Sequence, residues 1–300
     1  MPEGDTLYRT ASVLRRLLAG RAVRAARGRP GGPSLGRLVG RQILAVEARG
    51  KHLLMGFAAG TDGAPALTLH THLGLHGSWH RYRPGEPWRR GRQRAVAVLE
   101  TDTSVAVCFD APTVELIETQ GLPLHPVLAA LGPDLLAAVP DTSAALGRLA
   151  DPARAAMPIG EVLLDQTALA GLGNVYRSEV CFVERVDPWT PVHALPAGTL
   201  ERLVETGARL LLANRDDPRR TTVPDAIGGL AGTDLSRHRS ARLWVYGRAG
   251  RPCHRCGALI RSATAGPLAR RVYWCPACQA SGPGGRAEAS ESARSGAARD

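Results

Sequence analysis

Leu7, Ala11, Val13, Leu14, Leu17 and Leu18 fall mostly on one face of a 3.6-residue period, which predicts a helix at the start of the chain. Asp5 or Thr6 offers an N-cap oxygen, and Gly20 offers a stop. The period then changes. Residues 21–27 alternate, Gly and Pro crowd 28–36, and short apolar runs follow at 42–48, 52–57, 66–71, 94–99, 104–109 and 114–118. Many short strands divided by turn residues predict an antiparallel sandwich or barrel. From residue 126 the pattern turns helical, with Ala- and Leu-rich segments at 126–138, 142–150, 159–168, 174–184 and 197–213. Residues 214–240 are polar, with Gly and Pro punctuation and an Arg/His cluster at 237–242. A strand-like Leu243-Trp244-Val245-Tyr246 comes next. After Gln279 almost no large apolar residue remains, which predicts a disordered tail. The chain has no internal repeat.

Composition narrows the function class. A chain of 300 residues suggests about two domains, and 44% hydrophobic residues suffice for a sizeable core. The net charge of +11 and pI near 10.2 favour a polyanionic partner, nucleic acid before an anionic membrane surface. No run approaches the ~18 consecutive apolar residues of a membrane span. The start MPEGDTLYRT lacks the basic and apolar regions of a secretory signal, so a reduced, cytoplasmic protein is expected. Only 3 Phe, 5 Trp and 5 Tyr are present, few for a protein that stacks RNA bases. Among the 38 basic residues a single one, Lys51, is lysine. A GC-rich genome accounts for the arginines and says nothing about the lysine, which alone can supply a compact, titratable ammonium.

Four of the six cysteines form two C-x2-C knuckles, Cys253/Cys256 and Cys275/Cys278, separated by 18 residues. That spacing gives four thiolates able to close a tetrahedral Zn²⁺ site with no open position, hence a structural metal. Cys108 and Cys181 stand alone in apolar surroundings and read as core. Alternation at 270–275 predicts a β-hairpin with Arg270 and Arg271 near its turn, either a solvated tip or a stiffened presenter of guanidinium to phosphate.

Two further fragments have chemistry in them. An apolar helical run breaks at Ala170-Gly171-Leu172-Gly173 and resumes at Asn174, whose helix N-terminus can hold an anion. The spacing alone equally fits an ordinary αα-corner. Removal of Met1 before the small Pro2 would free a secondary amine, and an α-amino group with pKa of ~8 is nucleophilic near neutrality. Such an amine can attack a sugar C1′ and form an iminium, with Glu3 beside it at the positive end of the first helix as acid/base. In isolation a Pro-Glu start is simply a chain end.

Together these fragments resemble the formamidopyrimidine-DNA glycosylase/endonuclease VIII family of base-excision repair enzymes, most like its actinobacterial endonuclease VIII branch. The matching pieces are PEG at 2–4, GKHLL at 50–54, THLGLHGSW at 71–79, LLDQTALAGLGNVYRSE at 163–179 and CHRCG…RRVYWCPACQ at 253–279. The resemblance implies an α+β multidomain fold: an N-terminal helix plus antiparallel β-sandwich (2–125), a helix–two-turn–helix domain (126–246) and a β-hairpin zinc finger (247–280); it leaves uncovered the tail (281–300) that composition predicts to be disordered. It implies an enzyme that binds damaged DNA, flips a nucleotide, cuts the glycosidic bond and cleaves the strand by β,δ-elimination; apart from the resemblance, a monomer is the simplest expectation. It assigns Pro2 as Schiff-base nucleophile and Glu3 as acid/base. Lys51 becomes the strand lysine that assists catalysis and holds phosphate. Asn174 becomes a phosphate ligand, and Arg270 the finger arginine with Arg271 beside it. Leu75 becomes the wedge in the vacated stack, with His76 as its neighbour.

The chain departs from the family pattern twice. Thr6, preceded by Asp5, stands where a second Glu is usual. The stretch FDAPTVEL (109–116) lacks the arginines that face the orphaned base in the formamidopyrimidine branch. The second departure points away from 8-oxoguanine opposite cytosine and toward oxidised pyrimidines or abasic sites. The competing class is a zinc-containing DNA-binding paralogue without catalysis, which would have no use for Pro2, Glu3 or Lys51.

Overall fold

In the computed structural model, which describes residues 2–223, 242–267 and 269–280, the first helix, α1 (Gly4–Leu18), lays Leu7, Ala11, Leu14 and Leu18 into the core. Its N-cap position is Glu3, one turn edge earlier than the expected Asp5 or Thr6. Asp5 lies inside the helix, its carboxylate paired with Arg220. Gly20 has φ +80 directly after the C-cap Ala19, and so is the expected stop.

Eight strands follow: β1 (Ala25–Gly28), β2 (Ile43–Arg49), β3 (His52–Phe57), β4 (Leu67–His72), β5 (Ser78–Tyr82), β6 (Ala95–Glu100), β7 (Val105–Phe109) and β8 (Thr113–Glu118). They make two antiparallel sheets in the orders β1-β6-β7-β5 and β2-β3-β4-β8. Leu53, Met55, Leu67 and Leu69 of one sheet meet Ala97, Leu99, Ala106 and Cys108 of the other, with α1 closing the layer. Cys108 is thus a core residue, as expected. The sequence gives no clear signal for β5, because Ser-Trp-His-Arg-Tyr is mostly polar; pairing with β7 at a sheet edge makes it a strand.

The helical region is less regular than its pattern. The run 126–138 forms only one turn, α2 (Pro126–Ala129), since Gly132-Pro133 cannot continue it. The run 159–168 likewise stops after α4 (Ile159–Val162): Asp165 accepts the Thr167 N–H at 2.9 Å and bends the chain. Three longer helices remain, α3 (Thr142–Leu149), α5 (Asn174–Val183) and α6 (Thr199–Asn214). Tyr176, Val180 and the buried Cys181 of α5 pack on Leu203, Val204 and Leu211 of α6.

The expected hairpin is present: β10 (Arg270–Trp274) is the stretch marked by alternation, and it pairs with β9 (Arg261–Ala265) before it. Leu243–Tyr246, in contrast, is not a strand. The backbone N–H groups of Trp244, Val245 and Tyr246 donate to the buried carboxylate of Glu179 at 2.8, 2.9 and 2.8 Å, and the Thr222 hydroxyl donates to it as well. Those donors are therefore lost to any ladder. Trp244 and Val245 join Phe182, Ile260 and two cysteines in a third apolar cluster, with the Arg255 guanidinium 4.4 Å from the Phe182 ring centre. No helix among the described residues is long and apolar enough to cross a membrane. The tail 281–300 and most of the Arg/His cluster lie outside the described residues.

Candidate active site

Glu3 begins the site. Its side chain is completely buried and does not cap α1. It crosses instead to the N-terminus of α5, where it accepts from the backbone nitrogens of Gly173 (3.0 Å), Val175 (2.9 Å) and Tyr176 (3.4 Å). The free N–H groups expected there to hold an external phosphate thus hold an internal carboxylate. A helix N-terminus suits that charge. Two glycines permit the approach. A Cβ on Gly173 would lie 2.4 Å from Glu3 Cδ, and one on Gly4 would lie 3.0 Å from Gly171 Cα. The Gly4 N–H also donates to the Gly171 carbonyl at 2.9 Å. Pro2 is thereby carried on a chain end fixed from both sides, and it is half-buried.

Lys51 comes from the opposite direction. It is not within a strand but in the two-residue turn between β2 and β3, after Gly50 at φ +55. The Gly50 N–H donates to Asp134 Oδ2 at 2.7 Å, and a Cβ on Gly50 would press on Ala170 at 3.0 Å. The hairpin tip is therefore seated against the same turn that receives Glu3. Burial lowers the Lys51 pKa from 10.5 to about 8; Glu3 pulls it up, while Arg270 and Arg177 push it down. The structure thus brings Glu3, Lys51 and Arg270 within electrostatic reach, three residues taken from three distant stretches of chain.

Asn174 joins the helical region to the finger. Its Nδ2 donates to the Arg271 carbonyl at 2.9 Å, and its Oδ1 accepts from the buried Arg177. Arg270 is half-buried beside this bridge, and Arg271 turns its side chain to solvent. Leu75 and His76 are apart from this group, exposed at the tip of a tight turn after β4. The Gly77 N–H closes that turn on the Leu73 carbonyl at 2.8 Å. Leu75 is 50% exposed, an apolar side chain held out by a rigid loop.

Several site groups escaped the sequence reading. The 109–116 stretch has no arginine of its own, yet Asp110 binds two from elsewhere: Arg90 at 2.8 Å and Arg94 at 2.9 and 2.7 Å. Asp110 is at φ +54, which swings its carboxylate toward them. A histidine line also forms. His52 and His72 are register partners, His52 Nδ1 lies 2.8 Å from His70 Nε2, and Glu115 Oε2 lies 2.7 Å from His70 and 3.1 Å from His125. The Leu128 N–H donates to His125 Nδ1 at 3.2 Å, so the His125 proton sits on Nε2 and points at Glu115. The trio His70, Glu115 and His125 has metal-ligand spacing, but that proton makes it a satisfied hydrogen-bond network. Burial, with His72, His70 and Lys51 near, lowers the His52 pKa to about 3, so His52 is neutral. Only the strand register could have revealed the line.

The four knuckle cysteines come together as their spacing required. Their sulfurs all lie within 4.8 Å, with Cys256–Cys275 at 3.5 Å and Cys253–Cys278 at 4.0 Å. A tetrahedron with Zn–S of about 2.3 Å has edges of about 3.8 Å, so the set fits one zinc ion. The N–H groups of Arg255 and Cys278 each lie 3.4 Å from a knuckle sulfur, the donors a thiolate set needs.

Comparison with known proteins agrees with this layout. Residues 1–113 match the formamidopyrimidine-DNA glycosylase N-terminal domain, and residues 131–215 match the formamidopyrimidine-DNA glycosylase H2TH domain. The probable endonuclease 8 2 of Streptomyces coelicolor is 44% identical, over 95% of this chain and 98% of its own. The DNA-(apurinic or apyrimidinic site) lyase Nei2 of Mycolicibacterium smegmatis is 38% identical, over 93% and 99%. Among solved structures, Lactococcus lactis Fpg bound to DNA containing N7-benzyl-Fapy-dG superposes with a TM-score of 0.75 at 22% identity, over 93% of this chain and 100% of that one. The chain belongs to the formamidopyrimidine-DNA glycosylase and endonuclease 8 family.

Proposed function

We propose that the protein is a bifunctional DNA glycosylase and abasic-site lyase that excises oxidised bases, pyrimidines in particular, and then cuts the strand. The observation that supports this most is the docking of Glu3 on the N-terminus of α5, which fixes the chain end that carries Pro2 and sets the Glu3 carboxylate within electrostatic reach of Lys51. A DNA-binding module would have no use for that arrangement. The relatives described above, named as endonuclease 8 and abasic-site lyase, support the same reading.

In this reading the amine of Pro2, exposed by removal of Met1, attacks C1′ of an extruded nucleotide. The N–C1′ bond forms, and the C1′–base bond breaks with its electron pair leaving on the base, which takes up a proton. The nitrogen gives up the proton it carried as an amine, and the lone pair so freed forms C=N and expels the ring oxygen, protonated through Glu3. Loss of a C2′ proton breaks the C3′–O bond, a second elimination releases the 5′ side, and water hydrolyses the iminium. Lys51 and Arg270 hold the flanking phosphates, with Asn174 and Arg271 at the finger junction. Leu75 fills the gap left by the flipped nucleotide, with His76 beside it. Cys253, Cys256, Cys275 and Cys278 hold one structural Zn²⁺, which stiffens the hairpin bearing Arg270. The protein works as a cytoplasmic monomer on damaged DNA.

Duplexes bearing dihydrouracil, thymine glycol, 8-oxoguanine opposite cytosine or an abasic site test the reading. Cleavage of the abasic and oxidised-pyrimidine strands, leaving phosphate on both ends of the gap, is expected, with 8-oxoguanine slowest. Tight binding with intact abasic strands would overturn it in favour of the non-catalytic paralogue.

A further inference from the structure

Arg220, six residues beyond the end of α6, reaches back to the first turn of α1. Its Nε donates to Asp5 Oδ2 at 2.9 Å, and its Nη2 donates to Asp5 Oδ1 and, at 3.1 Å, to Thr6 Oγ1. The Asp5 side chain is 1% exposed and that of Arg220 13%. The Tyr176 ring lies under the guanidinium, 4.9 Å from its carbon. Glu3 is within electrostatic reach of the same guanidinium. Asp5, Thr6 and Tyr176 therefore hold this cation in one orientation against the wall that carries Glu3.

A purely structural role explains this poorly. Burying an ion pair costs desolvation that its attraction seldom exceeds. The tie between α1 and the end of α6 is already made by Arg9, whose Nη1 donates to the carbonyls of Asn214, Arg215 and Asp217. Arg220 also keeps one nitrogen in reserve. Among the described residues Nη1 makes no hydrogen bond, while Nε and Nη2 are taken by Asp5 and Thr6, so Nη1 is the nitrogen left to donate to a ligand.

We propose that Arg220 is a specificity-determining residue that, oriented by Asp5, donates from Nη1 to a carbonyl oxygen of the extruded base. This deepens the glycosylase reading and rests on it. A fixed donor favours bases that present an acceptor oxygen at that point, as the carbonyls of oxidised pyrimidines do, and disfavours bases that present N–H there. Asp5 is its positioning residue. Thr6, standing where the family usually has a second Glu, accepts from the same guanidinium.

The test compares single-turnover rates on dihydrouracil DNA and on abasic-site DNA, since an abasic site has no base and so no base carbonyl to bind. Arg220→Ala is expected to lower the ratio of base excision to abasic cleavage about tenfold or more. Because that change strands the buried Asp5, the double variant D5N/R220Q, which removes both charges, is measured beside it with melting curves. It is expected to show the same fall in the ratio. A parallel fall on both substrates, or a wild-type ratio in the folded double variant, would overturn the proposal. If the wild-type protein cleaves neither substrate, the glycosylase reading itself fails, which is a different result from an active wild type with unselective Arg220 variants.

Discussion

Glu3 Oε1 accepts a hydrogen bond of 2.9 Å from the backbone nitrogen of Val175, 172 positions further along the chain. One carboxylate thereby joins the N-terminal end of the sandwich to the first turn of α5. In the proposed reading, catalysis and domain docking depend on the same side chain.

Glu3→Gln separates the two roles. The amide keeps one acceptor oxygen but sets an NH2 group against backbone donors and cannot carry a proton. We expect base excision to fall about a hundredfold or more in single-turnover assays. The melting temperature should drop by about 2–8 °C, from the lost charge at the helix end and a mismatched donor.

Gly173→Ala tests the docking by sterics alone. The added Cβ would overlap the Glu3 carboxylate, 2.4 Å from Cδ. Activity should fall as far as in Glu3→Gln although no titrating group is touched, and a crystal structure should show the carboxylate displaced. Wild-type rates in this variant would mean that Glu3 need not sit on α5.

Lys51 is the one lysine of the chain, so lysine-selective ¹³C labelling gives a single side-chain signal to titrate. Burial first, and then Arg270 and Arg177, place its midpoint at about 8 rather than the ordinary 10.5. Between those two pH values the folded protein holds fewer protons than the unfolded chain, so this residue's cost to stability is greatest below about pH 8 and eases as pH rises toward 10.5. In Lys51→Met that rise in stability should disappear. A midpoint near 10.5 in the wild type would mean that the turn does not bury the ammonium.

Cys275→Ala leaves three thiolates around a site that fits four. Metal analysis should find about one zinc per chain in the wild type and almost none in the variant, with a fall in melting temperature and in DNA affinity. Affinity equal to wild type would show that the finger does not contact DNA.

The parts of the site that were legible in the sequence are those defined by local spacing. Two C-x2-C knuckles bring four thiols together wherever the hairpin points, and alternation at 270–275 marked β10. The strands of the sandwich showed themselves by short apolar runs, apart from β5, which only its partner β7 makes a strand. Relationships that exist through packing were not legible. The apolar period at 126–138 says nothing about how Gly132-Pro133 ends it. Glu3 precedes a helix in sequence, so the first helix looked like its electrostatic partner; only the folded chain shows it at the end of another one. Leu243–Tyr246 has the composition of a strand, but Glu179 takes its donors. The Arg220–Asp5 pair, the Asp110 cluster and the histidine line each join residues whose proximity depends on domain docking or strand register.

The central claim is that the amine of Pro2 bonds covalently to deoxyribose. Borohydride reduction of the protein with abasic-site DNA, followed by proteolysis and mass spectrometry of the adduct, tests it most directly. The account predicts a reduced sugar adduct on the peptide that begins at Pro2, with Met1 absent. An adduct on Lys51, or none from protein that still cuts the DNA, would contradict it.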